Sequence, residues 1–292
     1  MFYNEKRLAY TVRVEKPNPL YAKRLQQAIG GIEGEIRVML QYLFQGWGFR
    51  GPAKYRDMLT TTGTEEIGHV EMLATAVALN LEGAPMKLQE DLAKDPMVGA
   101  ILGGMDPRHV LSTGLAATAS DSNGVPFNGS WVVASGNLVS DMYANVAAEA
   151  NGRLLATRLW EMTDDPGMKD MLSFLNARDT MHQNQWLAVI EELQDALPVP
   201  GDFPQSQEKQ EFSYAYFVQS NRVIPQDARF AHGKSIDGKG EFSLIDAKPY
   251  GDEAKLAPGP KESHTLVKPK VSSVVSDMTS AVKRTIDGKD EG

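Results

Sequence analysis

The sequence predicts an all-α protein: a four-helix bundle whose two halves are joined by a long crossover, followed by an extended, mostly irregular C-terminal region. Three observations carry this. Four long stretches between residues 21 and 193 place apolar side chains at helical spacing, turn signals divide these stretches into two hairpins, and after residue 200 the composition shifts to Gly, Pro, Lys, Asp and Ser. The division expected is residues 1–200 as the bundle with an N-terminal arm, and 201–292 as a region that wraps the bundle or a neighbouring subunit, since it is too poor in apolar residues for a core of its own.

Residues 8–14, LAYTVRV, read as a short strand or extended arm closed by KPNP. From Tyr21 the period becomes helical: Leu25, Ile29, Ile32, Ile36, Met39 and Leu43 step by four and three, one face of a long helix ending near Gly46 to Gly51. Pro52 suits the first turn of a second helix, on which Leu59, Thr62, Glu66, His69, Leu73 and Val77 share a face as far as about Asn80. Residues 81–130 are broken by EGAP, DP, GGMDP and DSNGVPFNG; they predict loops, with a short helix near 108–118. The third long helix begins at Ser135 or Asn137, with Leu138, Met142, Asn145, Glu149, Gly152, Ala156 and Leu159 on one stripe. DDPG at 164–167 is a turn, and a fourth helix carries Met168, Met171, Leu175, His182, Trp186, Val189 and Leu193 until PVPG at 198–201. Two helical hairpins with a long crossover are the topology of a ferritin-like bundle.

Composition excludes several classes of function. The 30 Lys and Arg against 38 Asp and Glu give a net charge of -8, and no basic stripe is interleaved with aromatics, so neither a nucleic-acid nor a membrane partner is expected. Without Cys there is no disulfide, thiolate metal site, iron–sulfur ligation or cysteine nucleophile. The opening residues are charged and lack the apolar core of a signal peptide, and no long apolar run follows, so a cytoplasmic location is expected. There is no P-loop and no GxGxxG.

The chemistry lies within the apolar stripes. Glu66 and His69, three apart in TTTGTEEIGHVEMLA, share one helical face with Leu59, Leu73 and Val77. One such pair arises often by chance, but a buried carboxylate needs a partner, and here every long helix has a metal-competent group on its inner stripe. Glu35 lies between Ile32 and Met39, Glu149 between Met142 and Ala156, and His182 between Leu175 and Trp186. Three carboxylates and two imidazoles without a thiolate suit two manganese or iron ions far better than copper. Glu65 and Glu71 are expected to face solvent or a subunit interface, His109 and His232 not to be ligands, and Trp47, Trp131, Trp160 and Trp186 to serve packing.

These segments, YTVRV, GEIRVMLQYLFQGW, TEEIGHVEML and the stretches around Glu149 and His182, resemble the manganese catalases, ferritin-like di-manganese enzymes, over residues 1–200 and more loosely beyond. The resemblance implies that the protein disproportionates hydrogen peroxide to water and dioxygen without an external electron donor, using two manganese ions per subunit. It implies that Glu66 bridges both metals, with Glu35 and His69 completing one site and Glu149 and His182 the other. It also places Tyr42 beside the centre and predicts a homohexamer whose tails reach over neighbouring subunits. Some members carry an arginine before the second-half glutamate, where this chain has Ala148, and a channel carboxylate at the position of Asp179. Asp179 is expected to act just outside the metal ligands or as a proton relay, the competing reading being an ion pair with Arg178 or another nearby cation. Some members also hold a structural calcium; Asp57 matches one of its ligands, whereas Thr61 stands where a second acid is expected and FVQSN only loosely resembles the rest. The residues by themselves justify an oxygen-active dinuclear centre, which leaves a di-iron oxidase or peroxidase and a ferritin-like metal storage protein as alternatives.

Overall fold

A computed structural model describes residues 9–84, 106–193, 208–218, 232–235, 238, 240–246 and 254–255. The chain forms two compact units, one covering most of the chain up to Lys209 and the other from Gln210 onward apart from residues 236–238.

In the first unit the N-terminal segment is an extended arm; among the described residues it has no strand partner. Its Tyr10 ring stacks on Phe174 at 4.6 Å, and the Asp165 carboxylate accepts hydrogen bonds from the Glu15 and Lys16 amides at 2.8 and 2.9 Å. Helix α1, Pro19–Gly30, starts with Pro in its first turn and Asn18 as its cap, the side chain accepting from the Tyr21 amide. The single long helix expected from Tyr21 is in fact two. The chain breaks at Gly31–Gly34 and resumes as α2, Glu35–Gly48. Glycines at the break allow close backbone approaches: a Cβ on Gly30 would lie 2.5 Å from the Ser120 backbone, and one on Gly34 would lie 2.7 Å from the Ile29 carbonyl oxygen. The break rotates α2 relative to the apolar stripe read from the sequence. Ile32 is 44% exposed, and α2 buries Glu35, Val38, Gln41, Tyr42, Gln45 and Gly46 instead.

Helix α3 runs Ala53–Asn80 and packs on α2; all six residues of its expected face are buried. The crossover makes a short helix α4, Pro107–Leu111, where 108–118 was expected. The chain turns out of it at Gly114 and Leu115, both at positive φ. Gln26 binds the Thr118 and Ser120 carbonyls and the Thr118 amide, which fastens the crossover to α1. A single 3-10 turn follows at Gly129–Trp131. Helix α5, Leu138–Glu161, is capped by Asn137, and α6, Pro166–Glu192, by Asp165 of the DDPG turn; these two pack together as the second hairpin. The PVPG stop lies outside the described residues.

Two apolar cores result. One joins Leu25, Ile29, Leu73, Val77, Ala156 and Leu175, and the other joins Val38, Tyr42, Leu59, Met142, Trp186 and Val189. Along α3, α5 and α6 the Glu and His positions fall between members of the two cores, so the polar layer is closed at both ends by apolar side chains. In the second unit, α7 (Gln210–Ser213) leads into β1, Ala215–Val218, which pairs in parallel with β2, Ser243–Asp246. The apolar pieces FSYAYFVQ and EFSLID thus supply a two-stranded sheet.

Candidate metal centre

The five ligand candidates reach the bundle interior from four helices. Glu35 is the first residue of α2, Glu66 and His69 lie one turn apart on α3, Glu149 is central in α5, and His182 is central in α6. All five are at most 6% exposed. They form two trios, Glu35–Glu66–His69 and Glu66–Glu149–His182, each with one potential ligand atom per residue within 4.8 Å of the others. Glu66 belongs to both. Its Oε2 faces His69 Nδ1 at 2.5 Å and its Oε1 faces His182 Nδ1 at 2.9 Å, while Glu35 and Glu149 approach the same two nitrogens at 3.6 and 3.7 Å. The two imidazoles stack with centroids 5.6 Å apart.

The electrostatics are those of crowded, desolvated carboxylates. Burial pushes the Glu35 carboxyl up to about 7. It raises Glu149 well above the usual carboxylate range, helped by Glu66 and Asp179 nearby. Burial acts on Glu66 in the same direction, but the His182 and His69 imidazoles outweigh it and bring the group down to about 2. Burial would lower both imidazoles, but the carboxylates around them outweigh it, Glu66 foremost at His182, which rises to about 9, and Glu35 foremost at His69, which rises further.

Neither Glu66 oxygen, nor any ring nitrogen of His69 or His182, has a hydrogen-bond partner of proper geometry. A buried polar atom left this way costs about 1–3 kcal/mol. The two Glu66 oxygens and the two Nδ1 atoms they face gather at one point, and these hard oxygen and borderline nitrogen donors, with no sulfur, fit a pair of manganese or iron ions.

Tyr42 is fully buried and donates its hydroxyl hydrogen bond to Glu149 Oε1. Asp179 is 3% exposed, one turn before His182, and burial together with the Glu35 and Glu66 charges raises its pKa. Arg178 does not pair with it; the guanidinium binds Glu65 at 2.6 and 3.2 Å. Sequence reasoning missed Glu65. Rather than facing solvent it is half-buried, with Oε1 3.7 Å from His69 Nε2 and Oε2 3.2 Å from His182 Nε2. The one available signal was its i,i+4 spacing to His69. Glu71 is exposed as expected, Ala148 is buried, and neither His109 nor His232 joins a ligand trio among the described residues. Trp47, expected to pack, is 63% exposed with its ring edge against Phe44. Asp57 and Thr61 lie on the exposed side of α3, and among the described residues no ligand trio includes them, so the calcium expectation finds no support. Most of FVQSN lies outside the described residues.

Comparison with known proteins points the same way. The family model described as "Manganese containing catalase" matches residues 1–277. A manganese catalase of Bacillus subtilis (strain 168) is 50% identical over 269 residues, covering 91% of this chain and 98% of that protein. One of Lactiplantibacillus plantarum is 44% identical over 216 residues, covering 73% and 80%. The crystal structure of KatB, a manganese catalase from Anabaena, superposes with a TM-score of 0.64 at 23% identity, covering 84% of this chain and 99% of that one, a likeness of fold.

Proposed function

As a member of the manganese-containing catalase family, to which this chain belongs, the protein disproportionates hydrogen peroxide to water and dioxygen, and we propose that it does so at the two ligand trios that share Glu66. One manganese is held by Glu35, Glu66 and His69, the other by Glu66, Glu149 and His182. The observation that carries this assignment is the sharing itself: a single buried carboxylate turns one oxygen to each imidazole. The bound pair supplies two-electron redox chemistry, so one peroxide is reduced to two waters and a second is oxidised to dioxygen, with no external donor.

The chain's own residues set the conditions for that cycle. The two apolar cores keep bulk water from the ligand layer. Tyr42 orients Glu149 through its hydroxyl. Asp179, buried beside the ligands with a raised pKa, supplies one of the two protons that the reduced peroxide takes up and recovers one of the two that the oxidised peroxide releases, so that over both halves of the cycle protons are conserved.

We further propose a homohexamer in which the region from about 201 reaches over a neighbouring subunit. The half or more exposed Phe44 and Trp47, whose rings meet edge to face, support self-association, since a monomer rarely leaves large apolar side chains on view together. No helix among the described residues is long and apolar enough to cross a membrane, and the cytoplasm is the compartment we propose.

The test is elemental analysis of the purified protein coupled to an oxygen electrode with peroxide alone. About two manganese per chain with oxygen release supports the assignment. Two irons without oxygen release would replace it with a di-iron oxidase, and no stoichiometric metal after manganese supplementation would end it.

A further inference from the structure

Glu65 is a half-buried carboxylate whose two oxygens face different imidazoles on different helices, and it has its own fixed counter-charge. Its Oε1 looks to His69 Nε2 and its Oε2 to His182 Nε2, at 3.7 and 3.2 Å. Arg178, one turn before His182 on α6, grips both oxygens from the other side at 2.6 and 3.2 Å. Glu66, the next residue along α3, meets the same two rings at their opposite nitrogens. Each imidazole therefore has its Nδ1 toward Glu66 and its Nε2 toward Glu65.

An imidazole can bind a metal through one nitrogen only if the proton sits on the other, and an acceptor at that other nitrogen decides which tautomer forms. Glu65 is the carboxylate that faces both Nε2 atoms, at hydrogen-bond distance from that of His182 and just beyond it from that of His69. Arg178 aims it, since a bidentate guanidinium fixes a carboxylate in plane and position. Most metal-bound histidines have an outer partner each; here one carboxylate serves two.

We propose that Glu65, held by Arg178, is the shared positioning residue for both histidine ligands, placing the proton of each ring on Nε2 so that both Nδ1 atoms are offered to the metals together. The inference rests on the ligand assignment made above. Its consequence is coupling: loss of this carboxylate weakens both metal sites at once, although each has its own terminal glutamate and its own histidine.

The test is calorimetric titration of the metal-depleted full chain with manganese(II), together with the electron paramagnetic resonance spectrum of the loaded protein. Wild type, Glu65→Gln and Arg178→Gln are compared, with Glu71→Gln on the exposed face of α3 as control. Gln is isosteric with Glu but lacks the charge and presents an N–H₂ to one ring. Wild type is expected to take up two manganese. In Glu65→Gln both affinities should fall by about 10–100-fold, the usual effect of losing an outer partner. The exchange-coupled signal should change, Arg178→Gln should fall in the same direction by less, and Glu71→Gln should match wild type. Thermal unfolding of the metal-depleted chains establishes that each variant is folded; should Glu65→Gln not fold, the Arg178→Gln titration decides alone. Two manganese in Glu65→Gln with wild-type affinity and spectrum would overturn the inference while leaving the ligand assignment intact, as would a loss confined to one site. A wild-type chain that binds no manganese would remove the assignment itself.

Discussion

Replacing Glu66 with Gln removes the one carboxylate common to both trios and puts a neutral amide in a buried layer. Manganese content should drop below two per chain and oxygen release should fall by more than the roughly 100-fold that loss of an outer partner costs. An E66Q protein that keeps two metals and its turnover would show that the bridge is elsewhere. Tyr42→Phe is the milder change: it keeps the ring against Trp186 at 4.9 Å and deletes only the hydroxyl that serves Glu149. We expect a loss of about 1–3 kcal/mol in denaturant unfolding of the loaded protein. An unchanged midpoint would mean that Glu149 finds another donor.

Among the elements, the α1–α2 break has the clearest consequence, because it decides which face of α2 looks inward. Gly30→Ala sets a methyl against the Ser120 backbone, which cannot yield as a flexible side chain would, and Gln26 already ties that strand of the crossover to α1. The expected cost is about 1–3 kcal/mol of stability, with manganese uptake reduced as well, since Glu35 begins the helix just after the break. Equal melting temperatures for G30A and wild type would argue against this account. The inner face of α2 also explains why apolar period misplaced it. Gln41 and Gln45 are buried in a closed amide network with Asn145, and Gln45 donates to the Val133 carbonyl while Gln41 accepts from the Val133 amide. Polar side chains that satisfy one another can occupy a core position without any apolar signature.

At the scale of the whole molecule, metal, protons and stability are linked. Glu35, raised to about 7, and His182, raised to about 9, favour their protonated forms in the metal-depleted fold. For a raised group the stabilising contribution is complete below its unfolded value and is lost as pH rises through the folded one. Glu66, lowered to about 2, has the opposite sign: its contribution is present above its unfolded value and disappears only as pH falls toward 2. The metal-depleted protein should therefore lose stability between about pH 5 and 9. Manganese replaces those protons, so its uptake should release protons at neutral pH and the loaded protein should hold its melting temperature over that range. A ligand in hundredfold excess over its dissociation constant adds about 2.7 kcal/mol. Scanning both forms across pH checks this, and parallel curves would refute the linkage.

Helical period was enough to place α3, α5 and α6 and to put Glu66, His69, Glu149 and His182 on their inner faces, because within one helix spacing alone decides which side chains align. Glu35 was found from the same pattern, although the helix around it is shorter than the pattern suggests. What the tertiary structure decided are the features that depend on a neighbour distant in the chain. The Ser120 backbone lies so close to Gly30, the last residue of α1, that a Cβ has no room there, and β1 finds β2 some 25 residues on through backbone pairing that side-chain period does not encode. Glu65 turns inward because Arg178 and two imidazoles from separate helices converge on it. A charge at a helix edge carries no mark of its partner, and only when the two hairpins close does a residue that reads as solvated surface become part of the centre.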